Sequence, residues 1–133
     1  MIIGIGTDII DTRRIKNAIN KYGEKFKKRC FSNKEIIKSE NHFNTANSYA
    51  KRYAAKEACS KALGTGLRMG IAWRDMSISN LSSGQPIMEV TGWAKKRLDE
   101  LTPEDHRAIV HVSLTDDYPW AQAYVVIEAR PLA

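Results

Sequence analysis

The alanine-rich stretch from Tyr49 to Gly66, YAKRYAAKEACSKALGTG, constrains this chain more than any other feature. Its composition predicts a helix over Tyr49–Leu63 that ends at Gly64. Many of its side chains are small, so another backbone segment or a bulky ligand can approach the helix closely. We therefore expect the rest of the chain to be organised around this helix.

Two charged residues of this helix, Glu57 and Lys61, are four positions apart, so their side chains lie on one face. The simplest interpretation is a surface ion pair, because charged residues on a helix usually form a solvated face. A chemical role becomes the better interpretation if another acidic group lies nearby, and the first strand supplies one.

The segment Ile2–Ile10 predicts a β-strand with two different faces. One face carries Ile3, Ile5, Thr7 and Ile9, and the other carries Gly4, Gly6 and Asp8. The two glycines leave open space beside Asp8. A carboxylate in an apolar strand is costly to bury unless a cation or hydrogen-bond donors meet it. Asp8 is therefore predicted either to bind such a group or to cap the helix that follows.

The remaining periodicity and turn signals predict an α+β fold with the element order β-α-α-α-β-β-α-β-β. After the first strand, the predicted elements are helices at Asp11–Tyr22, Asn33–Lys38 and Tyr49–Leu63, strands at Met76–Asn80 and Gln85–Val90, a helix at Gly92–Leu101, and strands at Ala108–Thr115 and Trp120–Ala129. The strands are expected to form a mainly antiparallel sheet packed by the long central helix. Trp93 is expected to face inward, and the polar segment Ser39–Asn47 is expected to be a loop. The chain of 133 residues is expected to form a single domain, 1–133.

The chain is basic, with 21 Lys and Arg residues against 15 Asp and Glu residues and a pI of about 9.4. This balance favours an anionic partner, such as nucleic acid, a phosphorylated small molecule, an acidic protein or a membrane surface. The densest basic segment runs from Arg13 to Arg29, where only Glu24 opposes eight basic residues. It is either a solvated surface or a docking surface for an acidic partner.

Cysteine usage and the distribution of apolar residues indicate a cytosolic protein. Cys30 and Cys59 show no metal-ligand spacing and predict free thiols. The amino-terminal MIIGIGTDII lacks a basic segment and meets Thr7 and Asp8 too soon for a signal peptide. No apolar run approaches the roughly 20 residues that a membrane span needs.

The chain offers few groups for catalysis on its own. It contains no Gly-x-Ser-x-Gly motif and no phosphate-binding loop, and its three histidines are not spaced as zinc ligands. What remains is Asp8 and Glu57, with Lys61 one turn further on. Magnesium is usually held by one or two carboxylates together with water and substrate phosphates. If Asp8 and Glu57 meet in space, these residues predict a magnesium-dependent reaction at a phosphate or pyrophosphate, with Lys61 neutralising phosphate charge.

Several motifs of the chain resemble those of a known family. They are Gly4-Ile5-Gly6-Thr7-Asp8-Ile9, Arg14-Ile15, Phe31-Ser32-x-x-Glu35, Arg52-Tyr53-Ala54-Ala55-Lys56-Glu57-Ala58-x-x-Lys61-Ala62-x-Gly64-Thr65-Gly66, Gly84-x-Pro86, His111-Val112-Ser113-Leu114-Thr115 and Ala123-x-Val125-Val126-Ile127-Glu128. In this order they are similar to the holo-[acyl-carrier-protein] synthases, the small 4′-phosphopantetheinyl transferases of bacterial fatty-acid biosynthesis. The resemblance covers essentially the whole chain, and the long helix motif is its most specific part.

The resemblance implies an enzyme that transfers the 4′-phosphopantetheine arm of coenzyme A to a serine of apo acyl carrier protein. It implies that the reaction uses Mg²⁺ and releases adenosine 3′,5′-bisphosphate. It also implies a cytoplasmic homotrimer with active sites between subunits. The nucleophile then belongs to the partner, which agrees with the lack of a nucleophilic serine or cysteine motif in this chain.

The resemblance also implies roles for individual residues. Asp8 and Glu57 match metal ligands, and Lys61 matches a residue near the pyrophosphate, so these three form the predicted catalytic set. The residues that match the coenzyme A site are Arg52, Lys56, Lys61, Gly64, Gly84, Pro86 and His111. The residues that match the carrier-protein docking surface are Arg14, Lys21, Lys25 and Lys28. Tyr53 and Asp116 stand where many relatives carry phenylalanine and histidine, which weakens any role for these two side chains.

Three questions stay open at this level. The serine proton passes either to a metal-bound water or to a carboxylate such as Glu57. The high pI also allows a nucleic-acid-binding module, although the chain shows no aromatic pair on a strand that would stack bases. A non-catalytic binding domain that kept the fold is the other alternative, and the joint presence of Asp8, Glu57 and Lys61 speaks against it.

Overall fold

The alanine-rich helix, α4, forms the centre of the fold in a computed structural model that describes all 133 residues, Met1–Ala133. Helix α4 spans Thr45–Ala62 and starts earlier than predicted, because the Asn44 side chain caps it by accepting from the Asn47 backbone N–H at 3.2 Å. The predicted loop over Ser39–Asn47 is therefore wrong over most of its length. Ser39 ends up buried, with its hydroxyl 2.9 Å from that of Ser48.

Three long strands form the main sheet, in the order β1-β5-β4 and antiparallel throughout. Their bounds are Ile2–Asp11 for β1, His106–Asp117 for β4 and Trp120–Pro131 for β5. The inner face of β5 packs on α4 and carries alternating small and apolar residues, which are all buried: Ala121, Ala123, Val125 and Ile127. Strands β2, Met76–Asn80, and β3, Pro86–Val90, pair as a separate antiparallel hairpin. The predicted α+β class with antiparallel pairing is confirmed.

Four further helices surround this core: α1 at Thr12–Tyr22, α2 at Glu24–Cys30, α3 at Asn33–Glu40 and α5 at Gly92–Leu101. The sequence prediction missed α2, because seven residues with four basic side chains carry too short an apolar pattern to indicate a helix. Helix α3 starts at Asn33, as predicted, with a capping box in which Ser32 and Glu35 exchange hydrogen bonds. Asp11 caps α1 by accepting from the Arg13 backbone N–H, so the alternative role of Asp8 as a helix cap is wrong.

Strand β1 lies directly on the backbone of α4. A Cβ atom at Gly6 would stand 2.0 Å from the Ala58 carbonyl oxygen, and one at Gly4 would stand 2.2 Å from that of Ala62. The predicted open space beside Asp8 is therefore wrong, because the helix backbone fills it. The glycines instead allow a close approach that carries Asp8 to the helix.

Two details complete the packing. Trp93 was predicted to face inward but is 54% exposed, with its ring against Gly70 and the Lys96 ammonium 4.5 Å from the ring centroid. Cys30 and Cys59 are buried free thiols, as predicted.

None of the helices combines the length and the apolar character required to span a membrane.

Candidate active site

The strand–helix contact brings Asp8 to the face of α4 that carries Glu57 and Lys61. The Lys61 ammonium lies 3.2 Å from Asp8 Oδ1 and donates to the Thr7 carbonyl oxygen at 3.0 Å. Lys61 forms no ion pair with Glu57, so the interpretation of these two residues as a simple surface salt bridge is wrong. The ammonium has three N–H donors, and these two contacts leave one available.

The Glu57 carboxyl is half-buried beside Asp8. Its pKa is raised, first by burial and then by the negative charge of Asp8, while Lys61 acts in the opposite direction. Two carboxylates in one place repel each other, and a bound cation relieves that repulsion. The structure contains no cluster of three or more His, Cys, Asp or Glu side chains positioned for a metal ion. Two neighbouring carboxylates fit a cation that completes its shell with water and phosphate, as magnesium does.

A second site lies between α4 and the β2–β3 turn, and we call it the basic cleft. It consists of two adjoining cavities of about 380 and 390 Å³ that share Lys51, Asn80, Gly84 and Leu114. Arg52 lies in its wall, 6% exposed, and donates from one terminal nitrogen to the Ser48 carbonyl and hydroxyl oxygens. The Arg52 Nε is buried without a partner, and burial lowers the pKa of this guanidinium. A positively charged cleft suits an anionic ligand.

Three of the residues predicted for coenzyme A, Arg52, Gly84 and Pro86, come together at this cleft. Gly64 lies elsewhere, exposed at the end of α4, with a φ of 79° and the Arg97 side chain nearby. His111 lies on the solvent-facing side of the main sheet. The chain alone therefore does not unite the predicted nucleotide residues in one pocket.

The position of Lys56 contradicts its predicted contact with coenzyme A. Its side chain is completely buried, with Nζ 2.5 Å from Glu35 Oε1 and hydrogen bonds to the carbonyl oxygens of Trp73 and Met76. All three donors of the ammonium are used inside the core. The partner Glu35 also accepts from the backbone N–H of Ile78, so Lys56 holds α3, α4 and β2 together.

His111 takes part in a different network that the sequence did not indicate. Its Nε2 lies 2.9 Å from Glu128 Oε1, and the Arg130 Nε lies 3.2 Å from Glu128 Oε2. The His111 and Arg130 hydrogen bonds lower the pKa of Glu128 to about 2. The alternation of β4 and β5 places these side chains on one face, which is a signal available only after the register is known.

The predicted docking residues form an exposed basic surface on α1 and α2. Arg14, Lys21, Lys25 and Lys28 are all exposed, and none of them forms an ion pair. Their neighbours Arg13 and Lys27 are neutralised by Asp11, Glu24 and Glu40. A cavity of about 540 Å³ opens on the same surface, lined by Ala18, Tyr22, Lys25, Phe26 and Arg29.

The outer face of the main sheet exposes large apolar side chains. They are Ile5, Ile9, Trp120 and Tyr124, between 49% and 70% exposed. An apolar sheet face of this kind marks an interaction surface. The predicted common face of Ile5, Thr7 and Ile9 is confirmed, and it is the exposed one. Ile3 was predicted on the same face but packs against the core, where the register shifts between Ile2 and Gly4.

Comparison with known proteins adds an independent line of argument. The profile of the 4′-phosphopantetheinyl transferase superfamily matches residues 4–123. A holo-[acyl-carrier-protein] synthase of Ruegeria sp. strain TM1040 is 64% identical over 132 residues, which are 99% of this chain and 93% of the relative. The crystal structure of the synthase from Neisseria meningitidis is 34% identical with a TM-score of 0.84, over 96% of this chain and 99% of that one. A Bacillus anthracis synthase solved in complex with CoA (3′,5′-ADP) is 33% identical with a TM-score of 0.74, over 96% and 97% of the two chains.

Proposed function

This chain belongs to the 4′-phosphopantetheinyl transferase superfamily, within it to the holo-[acyl-carrier-protein] synthases, and on that premise we propose how its residues act. The reaction transfers the 4′-phosphopantetheine arm of coenzyme A to a serine of apo acyl carrier protein. It serves fatty-acid biosynthesis in the cytoplasm. The observation that carries the assignment of the site is the convergence of Asp8, Glu57 and Lys61 where β1 meets α4.

The bond changes follow from the substrates. The serine oxygen of the carrier protein forms a bond to the phosphorus that bears pantetheine, and the bond from that phosphorus to the bridging oxygen breaks. Adenosine 3′,5′-bisphosphate leaves, and the serine proton passes to a carboxylate or water of the site. Lys61 stabilises the charge on the phosphate oxygens with the N–H that is not used by Thr7 and Asp8.

Asp8 and Glu57 are the residues that would hold magnesium. Their mutual repulsion and their number fit this ion, as argued from the donor set above. When bound, magnesium withdraws negative charge from the pyrophosphate.

The nucleotide part of coenzyme A is assigned to the basic cleft. Arg52 supplies positive charge there, and Lys51 lies beside it, paired with Asp116 at 3.3 Å. The β2–β3 turn at Gly84 and Pro86 lines the other side. Arg52 and Glu57 are five residues apart on α4, about 140° around the helix axis, so the cleft and the carboxylates face different directions. A neighbouring subunit that contributes its cleft to the carboxylates of this one completes the site.

The outer face of the main sheet is proposed to form the contact between subunits of a homotrimer. Its exposed residues Ile5, Ile9 and Tyr124 would lose their contact with water there. His111 lies on the same face, so the assembly would bring it to a neighbouring subunit. Light scattering on the purified protein measures the subunit number, and a monomer at micromolar concentration would contradict this assembly.

The exposed basic residues of α1 and α2 are proposed to receive the acidic carrier protein. Arg14, Lys21, Lys25 and Lys28 have no acidic partner within the chain, so their full charge is available. Opposite charges of this kind speed the encounter and orient the partners.

The test combines the protein with coenzyme A, MgCl₂ and a bacterial apo acyl carrier protein. Mass spectrometry is expected to show a gain of one phosphopantetheine arm, and EDTA is expected to prevent it. Asp8→Asn and Glu57→Gln are expected to lose the transfer while they remain folded. The matched control Asp99→Asn, at an exposed carboxylate of α5, retains it. Full transfer by either active-site variant would overturn the metal assignment, and no gain with any carrier protein would overturn the function.

A further inference from the structure

The ring of Tyr53 is held rigidly beside the predicted catalytic residues. It stacks on Trp73 with a centroid distance of 4.5 Å and an interplanar angle of 27°. On the other side it stacks on Phe26 at 6.2 Å and 28°. Because aromatic neighbours of two other elements hold the ring, the direction of its hydroxyl is set by the fold.

Tyr53 lies in one row with the predicted catalytic residues of α4. It precedes Glu57 by four residues and Lys61 by eight, so the three side chains follow each other along one helix face. The ring is half-buried, and its hydroxyl neither forms a hydrogen bond within the chain nor belongs to the buried unpaired atoms. An accessible phenol without a partner is therefore available to a ligand.

Charged side chains of β1, α1 and α4 lie near this hydroxyl. The pKa of Tyr53 is raised to about 12, first by burial and then by the charges of Glu57, Cys30 and Asp8, while Arg14 acts in the opposite direction. Both carboxylates and Arg14, a residue of the basic docking surface, therefore lie near this hydroxyl. At neutral pH it keeps its proton and acts as a hydrogen-bond donor.

The docking surface leads directly to this position. Phe26, one of the two stacking partners of Tyr53, also lines the cavity that opens between Tyr22, Lys25 and Arg29. A carrier protein seated on the basic residues of α1 and α2 would approach Glu57 and Lys61 from the side on which Phe26 contacts Tyr53. Tyr53 is the polar side chain of α4 that this serine meets one turn before Glu57.

We propose that the Tyr53 hydroxyl hydrogen-bonds to the acceptor serine of the docked acyl carrier protein and holds its side chain toward the carboxylates. This role rests on the proposed function, and it makes Tyr53 a residue for orienting the acceptor. The nucleotide part of coenzyme A is assigned to the basic cleft, which Tyr53 does not line. The phenol donates one hydrogen bond, and its direction is set because the stacked ring is held in place. A serine bound in another position would therefore not receive this hydrogen bond.

The experiment is a double-mutant cycle between Tyr53→Phe and a Ser→Ala change at the acceptor of the apo acyl carrier protein. In wild-type enzyme, the Ser→Ala change is expected to weaken carrier binding by about 2- to 10-fold, which corresponds to one hydrogen bond. In Tyr53→Phe, the same change is expected to leave binding unaltered. Transfer by Tyr53→Phe is expected to show a lower kcat/KM for the carrier and an unchanged KM for coenzyme A.

The controls separate a contact from a structural effect. Tyr53→Phe keeps the stacked ring, so its thermal unfolding is expected to match that of the wild type. Tyr22→Phe removes a hydroxyl from the docking surface itself and is expected to show no coupling to the serine. Equal responses of wild type and Tyr53→Phe to the Ser→Ala change would overturn the proposal. A wild-type enzyme that transfers nothing would instead overturn the function on which it rests.

Discussion

Two lysine–carboxylate pairs on helix α4 differ in the properties that decide what an ion pair does. Lys56 and Glu35 are completely buried, with 2.5 Å between Nζ and Oε1. Lys61 and Asp8 are 3.2 Å apart, and their side chains are 52% and 18% exposed. The two lysines are only five residues apart in the chain, so the contrast comes from their surroundings.

The buried pair has no capacity left for a ligand. Lys56 uses all of its donors on protein oxygens, and both Glu35 oxygens accept from backbone N–H groups. In the exposed pair, Lys61 keeps one donor, and Glu57 adds a second negative charge beside Asp8. A saturated network stabilises one arrangement of helices and strands, whereas an unsaturated one can bind a substrate.

Removing the buried ammonium is expected to give the largest effect on stability. Lys56→Met leaves Glu35 as an uncompensated buried charge, which costs about 3–5 kcal/mol of unfolding free energy. The double variant Lys56→Met/Glu35→Gln removes that charge and is expected to recover part of the loss. Urea unfolding measures both, with Lys34→Met at an exposed pair as the control. A single variant within about 1 kcal/mol of the wild type would show that the pair is not structural.

Removing the exposed ammonium is expected to do the opposite, with a large loss of activity and little loss of stability. Lys61→Met is expected to lower kcat by about 10²- to 10³-fold, because a donor to the phosphate oxygens is lost. Its unfolding free energy is expected to stay within about 1 kcal/mol of the wild type. Lys95→Met, at an exposed pair with Asp99, is expected to change neither. Equal kcat for Lys61→Met and Lys95→Met would remove Lys61 from the chemistry.

A charge change outside both pairs is expected to affect only the encounter with the carrier protein. Arg14→Glu places a negative charge on the basic surface, and we expect a roughly tenfold higher KM for the acyl carrier protein. The KM for coenzyme A is expected to stay constant, and so is the unfolding midpoint. Arg74→Glu is the matched control, at an exposed position on the turn before β2. A higher KM for coenzyme A instead would move Arg14 into the nucleotide site.

The ion cluster at Glu128 is expected to give the smallest effect, visible only in acid. The folded pKa of Glu128, about 2, lies below its ordinary value of 4.5. Its contribution to stability is therefore present above pH 4.5 and is lost as the pH falls toward 2. Glu128→Gln is expected to flatten this part of the acid limb in urea unfolding between pH 6 and pH 3. An unchanged slope would show that the His111 and Arg130 contacts do not persist in solution.

The predicted elements were most accurate where local patterns are strong. Strand β2 and helix α5 have the bounds expected from the sequence, and α3 starts at Asn33 as predicted. Errors occurred where a contact from elsewhere in the chain decides the outcome. The gap beside Asp8 is closed by the α4 backbone, and the Trp93 ring is held outside by Gly70 and Lys96.

The candidate site was predictable as a set of residue types, but not as a geometry. The spacing of Glu57 and Lys61 placed them on one helix face, and the apolar strand around Asp8 indicated a carboxylate that needs a partner. The partner of Lys61 turned out to be Asp8, because Gly4 and Gly6 allow β1 to touch α4. Tyr53 received no role from the sequence, since its stacking partners come from α2 and from the turn before β2.

The sequence by itself determined the class of fold, the long helix, the free cysteines and the motifs that the chain shares with its family. Only the tertiary structure decided which lysine of α4 is buried, Lys56, and which is exposed, Lys61. The two have the same side chain on the same helix. Helix propensity and periodicity act within one element, but burial depends on what packs against it. Glu35 and strand β2 enclose Lys56. Strand β1 contacts Lys61 only through Thr7 and Asp8, so Lys61 stays exposed and can reach a ligand.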